Sequence, residues 1–219
     1  MPGTRWRAPV GRTRCGSSRG GRSGLRLDDV ARAPKEEPRG LVYQPELIDT
    51  ANEARLLGII GALRFDPIFL HGQEARRTAR HFGLDYDYGG RTPRPGEPIP
   101  DWLLPLRARA ALLAERDPDE LVEILVQKYP PRGSIGWHRD APAFDVVVGV
   151  SLLASCRLRF QRGTGLERRT WEVLLEPRSG YVLAGEARAS WEHSIPPAKD
   201  LRYSITFRTL RRSFVRSGT

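Results

Sequence analysis

The sequence contains no long apolar segment. No run reaches the roughly 18 apolar residues that a transmembrane helix needs, and no apolar stretch near the N-terminus indicates a secretory signal. We therefore expect no membrane partner and a cytoplasmic location. Cysteine is scarce as well. Cys15 and Cys156 do not have metal-ligand spacing, and both are expected to be reduced thiols.

Lysine is also rare, and arginine carries the positive charge. The chain has a net charge of +10 but only three lysines. The seven arginines of residues 1–26 and the three of residues 211–219 account for all ten charges, which leaves residues 27–210 neutral overall. Basic tails often bind phosphate backbones without reading their sequence. An arginine bias set by codon composition is the alternative interpretation, and the sequence leaves both open.

Composition divides the chain into a central domain and two tails. Residues 1–40 are rich in Gly, Arg, Ser and Pro, which predicts disorder. Residues 41–210 hold the regular patterns and are expected to form one domain. Residues 211–219 form a second basic tail. We expect a monomer.

Helical and strand periodicities follow each other along the central domain. Apolar residues recur at helical spacing over Leu47–Leu63 and again over residues 101–115, where Asp101 is a candidate N-cap. Residues 81–100, rich in Gly and Pro, are expected to form a loop. The short strands that follow favour an α+β domain dominated by a jelly roll or barrel. The predicted strands are Leu121–Tyr129, Phe144–Leu153, Cys156–Gln161, Thr170–Leu175, Tyr181–Ala184, Ser190–Ser194 and Arg202–Leu210.

Two histidines and an aspartate form a candidate metal site. His138 and Asp140 are two positions apart, so in extended structure both would point to the same face. His193 follows 53 positions after Asp140. Two imidazoles and one carboxylate can occupy one face of an octahedral iron and leave the other positions open. This pattern indicates an iron oxygenase, and a zinc hydrolase with the same ligands is an alternative.

An alternating polar strand follows the second histidine. Arg202 and Arg208 share one strand face at period two. Ser204 and Thr206 lie between them on that face. Two arginines can hold a dicarboxylate co-substrate by charge-assisted, often bidentate, hydrogen bonds. A solvated edge strand is the alternative, but an inward polar face in an otherwise apolar barrel agrees better with the nearby triad.

Two further groups of residues could contact ligands. Gln127 and Tyr129 share a strand face, and both can donate hydrogen bonds to an oxyanion. Phe82, Tyr86 and Tyr88 lie in the predicted loop, where aromatic rings could stack on an extruded base or anchor the loop to the core. The histidines interpreted as ordinary surface residues are His71 and His81.

Five short motifs stand in a fixed order along the central domain. They are Gln127-Lys128-Tyr129, Trp137-His138-Arg139-Asp140, Val147-Val148-Gly149-Val150-Ser151-Leu152, Trp191-Glu192-His193-Ser194-Ile195 and Arg202-Tyr203-Ser204-Ile205-Thr206-Phe207-Arg208. In order and approximate spacing they resemble the AlkB family of iron- and 2-oxoglutarate-dependent dioxygenases, over roughly residues 40–210. The last motif is the most specific of the five. Residues 82–90, followed by residues 98–102, also resemble the nucleotide-recognition lid of that family.

The resemblance implies an α+β fold built on a double-stranded β-helix, or jelly roll, with N-terminal helices and a lid. His138, Asp140 and His193 would bind Fe(II), and dioxygen would react there. Arg202 would pair with the distal carboxylate of 2-oxoglutarate, while Arg208 would support the end bound near the metal. The further co-substrate contacts implied are Tyr129, Gln127 and Ser204. The implied substrate contacts are Phe82, Tyr86 and Tyr88.

The resemblance also implies a function. It predicts an oxidoreductase that oxidatively demethylates N-alkylated nucleobases in nucleic acid, with single-stranded or damaged DNA as the first candidate substrate and DNA alkylation repair as the role. One position departs from the family pattern. DNA-repair members often carry an acid two residues after the metal-binding aspartate, and here that position is Pro142. The alternatives are an RNA-modifying or protein-directed oxygenase of the same fold and a non-catalytic nucleic-acid-binding module.

Overall fold

The computed structural model describes residues 35–70, 73–87 and 92–215. The predicted features outside this part of the chain are the N-terminal tail up to residue 34, His71, Tyr88 and residues 216–219. The strands are β1 (Leu41–Gln44), β2 (Asp66–Leu70), β3 (Gln73–Asp87), β4 (Thr92–Pro95), β5 (Leu121–Tyr129), β6 (Ile135–His138), β7 (Phe144–Leu152), β8 (Cys156–Arg162), β9 (Arg169–Leu175), β10 (Gly180–Leu183), β11 (Glu192–Ile195) and β12 (Arg202–Leu210). The helices are α1 (Thr50–Gly61), α2 (Leu104–Leu113), α3 (Gly185–Ala189) and α4 (Arg212–Val215).

The strands form two sheets of a jelly roll. The larger sheet has the order β1-β10-β7-β12-β5-β3-β2, with β4 paired to β3, and the smaller sheet has the order β6-β11-β8-β9. The named strands pair antiparallel. One core cluster joins the sheets, because Val147 and Tyr181 of the larger sheet pack with Leu158 and Phe160 of the smaller sheet. The predicted α+β jelly roll is confirmed.

Strand β12 lies between β5 and β7 in the larger sheet and is buried on both faces. Ile205 and Phe207 pack into the core cluster that contains the buried residues of α1 and α2. The opposite face of β12 carries the predicted polar residues, and they too are buried, Arg202 to 1% exposure and Arg208 to 8%. The inward polar face is therefore confirmed, and the solvated edge strand is wrong.

Both predicted helices are present but shorter than expected. Helix α1 begins after Asp49, because its side chain accepts a hydrogen bond from the backbone N–H of Asn52 at 2.7 Å and so caps the first turn. The same bond lowers the pKa of Asp49. Leu56 and Ile60, four positions apart, are buried in the core against the sheet. Within the described ranges, no helix has the length and hydrophobicity to cross a membrane.

Residues 81–100 are not the loop that the sequence predicts. Strand β3 continues to Asp87 and pairs with β5 and then with β4. Gly83 in β3 has a φ of +81°, and a Cβ there would lie 2.1 Å from the carbonyl oxygen of Val122, so only glycine fits. The sequence of β3 does not show the alternation of apolar and polar residues that identifies a strand. Polar residues such as His81 stand at positions where that alternation would have apolar ones.

Segments beyond both predicted domain limits contact the fold. The backbone N–H of Glu36 donates to the carbonyl oxygen of Thr170 on β9 at 3.1 Å. At the other end, Phe214 of α4 packs against a buried cluster that contains Phe144. The described structure thus extends on either side of residues 41–210, and the limits of the independently folding domain stay a prediction.

A glycine in β7 makes room for a tyrosine from the neighbouring strand. A Cβ at Gly149 would lie 2.2 Å from Cζ of Tyr181 and 2.5 Å from its hydroxyl oxygen. We predict that Gly149→Ala lowers the free energy of unfolding by about 1–3 kcal/mol, as overpacked cores do, measured by urea denaturation. In a Tyr181→Leu background the same change should cost much less, because the three nearest atoms all belong to Tyr181. Equal costs in both backgrounds would contradict this packing.

Candidate active site

Three potential metal ligands come together at the edge of the smaller sheet. His138 ends β6 and His193 lies on β11, and the two residues are direct partners across these strands. Their ring centroids are 4.3 Å apart. Asp140 follows β6 by two positions, and the ligand atoms of all three residues lie within 4.8 Å of one another. The structure therefore clusters the triad that the sequence spacing indicates.

The two histidines each offer a ring nitrogen to a metal. Nδ1 of His138 lies 2.9 Å from the carbonyl oxygen of Gly136. Because a carbonyl can only accept, Nδ1 carries the proton and the lone pair is on Nε2. Burial lowers the pKa of His193 to about 4, although Asp140 acts in the opposite direction. His193 is therefore neutral at neutral pH, which is the form that binds a metal.

Asp140 presents one paired and one unpaired oxygen. Its Oδ1 accepts a hydrogen bond from Nη2 of Arg208 at 2.9 Å. Its Oδ2 is buried, has no hydrogen-bond partner among the described residues, and lies 3.5 Å from Nε2 of His193. Burial alone would raise the pKa of Asp140, but Arg208 and the nearby histidines outweigh it and hold the pKa well below its usual range. An ionised carboxylate with an unpaired oxygen beside two imidazoles is a donor set that fits Fe(II).

Arg188 holds the segment that contains Asp140. This side chain is 4% exposed, and its Nη2 donates to the carbonyl oxygens of Asp140 at 3.2 Å, Ala141 at 2.6 Å and Phe144 at 2.9 Å. These buried hydrogen bonds fix the segment that follows β6, where the backbone is not paired with another strand. Sequence analysis missed Arg188, because a single arginine in a five-residue helix gives no local signal.

Arg202 is prepared for an anion. Its guanidinium lies 4.6 Å from the centre of the Tyr129 ring, and Nη2 donates to Oγ of Ser151 at 3.2 Å. Nε and Nη1 are buried without a hydrogen-bond partner among the described residues. An unsatisfied buried donor costs free energy, and a charged one costs more. A carboxylate of 2-oxoglutarate would accept a charge-assisted hydrogen bond from an open donor of this kind, so the arrangement fits the co-substrate.

The other predicted co-substrate residues form a row beside Arg202. Tyr129 Oη donates to Oε1 of Gln127 at 3.2 Å, and Nε2 of Gln127 lies 3.5 Å from Oγ of Ser204. Ser204 is a direct cross-strand partner of both Gln127 and Ser151. The structure thus brings these polar groups together on one sheet face. Ser151 belongs to the same row, although sequence analysis did not single it out.

Tyr181 is a further residue of this interior that sequence analysis missed. Its side chain lies over Gly149 on the sheet face that carries Ser151, at 7% exposure. Burial raises its pKa, and Tyr129 and Asp140 act in the same direction. The phenol is therefore a neutral O–H donor at all physiological pH values.

Two of the three aromatic residues predicted to contact the substrate lie in the described part of the chain. Phe82 is 3% exposed and packs edge-on against Trp102, with ring centroids 6.2 Å apart, in the core on the helix side of the sheet. This packing favours the alternative that Phe82 anchors its segment to the core, and contact of Phe82 with a base stays a prediction. Tyr86 lies on β3 opposite Pro93 of β4. The roles of Tyr86 and Tyr88 stay predictions, and the segment between β3 and β4 stays a predicted lid.

His81 is partly exposed, with 39% of its side chain accessible, but its inner nitrogen faces the interior. It lies on β3, and its Nδ1 is buried 3.7 Å from Oε1 of Glu123. Glu123 is 1% exposed, and its Oε2 accepts a hydrogen bond from Nη1 of Arg208 at 2.7 Å. Sequence analysis missed Glu123 because an isolated acid in an apolar strand resembles a position on a solvated face.

The geometry favours an iron oxygenase over a zinc hydrolase. A zinc hydrolase could use the triad, but its reaction does not need Arg202, a buried arginine with two open donors beside a row of polar side chains. Iron, which keeps coordination positions free for a bidentate co-substrate and for oxygen, accounts for both the triad and the row. The fold and the site together define a non-haem iron oxygenase that takes an anionic co-substrate.

Comparison with known families specifies this class. The model of the 2OG-Fe(II) oxygenase superfamily matches residues 64–208, and the chain belongs to this superfamily as an AlkB-like member. The cofactors predicted from the sequence, Fe(II), 2-oxoglutarate and O2, are those of this superfamily, and the clustered His138, Asp140 and His193 are a donor set that fits the iron.

Two curated relatives are similar over most of this chain. The chain is 28% identical over 188 residues to the Alkylated DNA repair protein ALKBH8 homolog of Arabidopsis thaliana, which covers 73% of this chain and 51% of that protein. It is 30% identical over 176 residues to the mouse tRNA (carboxymethyluridine(34)-5-O)-methyltransferase ALKBH8, over 74% of this chain and 25% of that protein. The chain therefore spans about half of the first relative and a quarter of the second.

Solved structures support the fold. OsALKBH1 superposes with a TM-score of 0.61 at 16% identity, over 81% of this chain and 100% of that one. An oxidoreductase of the 2OG-Fe(II) oxygenase family from Burkholderia pseudomallei gives a TM-score of 0.56 at 16% identity, over 79% of this chain and 86% of that one. At such identities the likeness concerns the fold alone.

The first site prediction concerns the metal. His138→Ala removes one of three clustered donors, and we expect it to abolish tight Fe(II) binding and 2-oxoglutarate turnover while the fold persists, because the side chain is not part of the core clusters. Anaerobic titration with Fe(II) or Co(II), with circular dichroism as the check on folding, measures this. Metal affinity equal to that of the unchanged protein would show that the triad is not the metal site.

The second site prediction concerns Arg202. Arg202→Ala should raise the KM for 2-oxoglutarate strongly, because a buried carboxylate without its partner costs several kcal/mol, about 3–5 when one member of a buried pair is removed. Arg202→Lys keeps the charge but loses the planar fork of the guanidinium. Its KM for 2-oxoglutarate should therefore lie between those of the unchanged protein and Arg202→Ala. Fe(II) affinity should change little. Unchanged 2-oxoglutarate binding in Arg202→Ala would refute the assignment of this residue.

Proposed function

We propose that this enzyme oxidatively removes N-alkyl groups from nucleobases in nucleic acid. The observation that carries the proposal is a line of contacts that joins the candidate metal ligand Asp140 to β3. It runs from Asp140 to Arg208, from Arg208 to Glu123, and from Glu123 to His81. Strand β3 continues from His81 into its hairpin with β4 and carries Tyr86. A hairpin that carries an aromatic residue and is connected to the candidate metal site by these contacts suits the recognition of a base turned out of its strand.

The chemistry divides between the cofactors and the chain. When bound, iron with 2-oxoglutarate and dioxygen supplies an oxidation in which 2-oxoglutarate becomes succinate and CO2 and one oxygen atom enters a C–H bond of the substrate. On an N-methyl group, the resulting hydroxymethyl carbon leaves as formaldehyde, and the ring nitrogen keeps the electron pair and takes up a proton.

The residues of the chain bind and orient the reactants. In this proposal His138, Asp140 and His193 hold the metal, and Arg202 holds the far carboxylate of 2-oxoglutarate. The guanidinium of Arg208 keeps Asp140 ionised and turned so that Oδ2 is free of protein hydrogen bonds. Burial of the polar row excludes water from the reacting centre, which strengthens each of these contacts.

The relatives indicate which polymer carries the substrate base. The Arabidopsis relative is named as an alkylated DNA repair protein, which supports alkylated DNA as the first candidate. RNA is the second candidate, because the mouse relative is named for an action on tRNA and because Pro142 stands where DNA-repair members often carry an acid. Since a paired base must be unstacked to enter a pocket, single strands should be better substrates than duplexes for either polymer.

The test is a substrate panel with two products measured. Matched DNA and RNA oligonucleotides that carry N-methylated bases, their unmethylated versions and methylated peptides are incubated with Fe(II), 2-oxoglutarate and ascorbate. We expect succinate and formaldehyde to form together and only with methylated nucleic acid, and His138→Ala to form neither. Succinate without formaldehyde on every nucleic acid, or turnover of the peptides alone, would refute the proposal.

The predicted lid gives a further expectation. Tyr86→Ala should raise the KM for a methylated oligonucleotide by the loss of one stacking contact, worth about 1–3 kcal/mol. The slow decay of 2-oxoglutarate in the absence of nucleic acid should be unaffected. Tyr88→Ala is the parallel variant. If both activities fall equally, the tyrosines support the fold and do not contact substrate.

Three parts of the proposal rest on the sequence alone. They are a monomeric state, a cytoplasmic location, and a domain at residues 41–210 with basic tails on each side. The tails would add affinity for phosphate backbones without changing which base is recognised.

A further inference from the structure

The guanidinium of Arg208 bridges two buried carboxylates. Its Nη2 donates to Oδ1 of Asp140 at 2.9 Å, and its Nη1 donates to Oε2 of Glu123 at 2.7 Å. Glu123 is 1% exposed, so its charge is as deeply buried as any in the described part of the chain. Asp140 has an evident use as a metal ligand, but no step of the reaction uses Glu123.

The local charges suggest what Glu123 does. Arg208 donates to the carboxylate of Asp140 at 2.9 Å and Arg188 to its carbonyl oxygen at 3.2 Å, so two cations lie beside the one acidic member of the candidate metal group. A positive environment opposes the binding of a divalent cation and favours an anion. Glu123 is the second carboxylate in contact with Arg208 and lies outside the group of three clustered potential ligands.

We propose that Glu123 is a positioning residue for metal binding. It divides the hydrogen bonds of Arg208 so that one nitrogen reaches Asp140, and it offsets the charge that Arg208 would otherwise impose on the iron. Oε1 of Glu123 faces Nδ1 of His81, which also lies 3.9 Å from Oδ1 of Asp85. Through this contact Glu123 connects the metal ligand to β3. The proposal concerns metal affinity and does not depend on the identity of the substrate.

A charge-offsetting role and a purely structural role predict different results. If Glu123 only stabilises the fold, its loss should weaken metal and 2-oxoglutarate binding together, in step with the loss of stability. If it offsets charge, its loss should weaken the binding of the cation and leave the binding of the anion unchanged or stronger. A fall in metal affinity without a fall in 2-oxoglutarate affinity therefore distinguishes the charge-offsetting role from the structural one.

The experiment is Glu123→Gln, which keeps the shape and one hydrogen-bond acceptor. Dissociation constants of Mn(II) and Co(II) are measured without oxygen by calorimetry, and that of 2-oxoglutarate is measured at saturating metal. We expect metal affinity to fall by about 10- to 100-fold, the usual effect of losing a partner of a metal ligand. We expect 2-oxoglutarate affinity not to fall. Unchanged metal affinity, or a parallel loss of both affinities, would overturn the proposal.

A matched control is Glu53→Gln. Glu53 is also buried, at 8% exposure, and accepts hydrogen bonds from the backbone N–H of Leu153 at 2.9 Å and from Nη1 of Arg178 at 3.2 Å, outside the metal site. This variant should lose thermal stability but keep its metal affinity. A metal affinity that falls as far as in Glu123→Gln would mean that loss of stability explains both results and would overturn the proposal.

A further variant tests the charge itself. Glu123→Asp keeps the negative charge and should retain most of the metal affinity. If Glu123→Gln cannot be purified, Glu123→Asp should still bind Mn(II) within about tenfold of the unchanged protein, less than the 10- to 100-fold loss of a removed partner. Metal affinity of Glu123→Asp as low as that of Glu123→Gln, or more than about tenfold below that of the unchanged protein, would overturn the proposal.

Discussion

The larger sheet has to bury two arginines on its central strand, and this requirement organises the site. Arg202 and Arg208 are 1% and 8% exposed, on the face of β12 opposite the apolar core. Buried charges are tolerated where they are paired and hydrogen-bonded. Arg208 meets this condition with two carboxylates of the chain. Arg202 has a serine, an aromatic face and two buried donors without a partner among the described residues. The two arginines thus differ: Arg208 is neutralised within the chain, whereas Arg202 fits an anionic ligand.

The same arrangement explains how Asp140 is held in place. It follows the end of β6 and is not held by a strand ladder. Arg208 fixes its carboxylate from the larger sheet, while Arg188 fixes its carbonyl oxygen and those of its neighbours from α3. The two histidines are fixed differently, as cross-strand partners within the smaller sheet. The candidate ligands thus lie at the smaller sheet while Arg208 supports one of them from the larger sheet, so the site depends on the packing between the sheets in their shared core cluster.

Strand β3 joins the candidate metal site to the predicted lid. It pairs with β5, so that His81 comes within 3.7 Å of Glu123, and then with β4 in the hairpin that includes Tyr86. One face of this strand packs Phe82 into the core, and His81 on the other face lies beside Glu123. The hairpin is therefore connected to Asp140 through the side chains of His81, Glu123 and Arg208.

The sequence by itself determined the class of fold, the triad and the polar face of β12, because alternation at period two and spacing along the chain are local properties. It could also indicate iron and 2-oxoglutarate, since the residue types required are few. Only the tertiary structure decided that β3 is a strand, that Phe82 belongs to the core, and that Glu123, Arg188, Ser151 and Tyr181 belong to the site. Each of these depends on partners distant in sequence: Glu123 meets Arg208 across 85 positions, and Arg188 meets Asp140 across 48. Pairings of that kind are set by strand order and register, which no local pattern encodes.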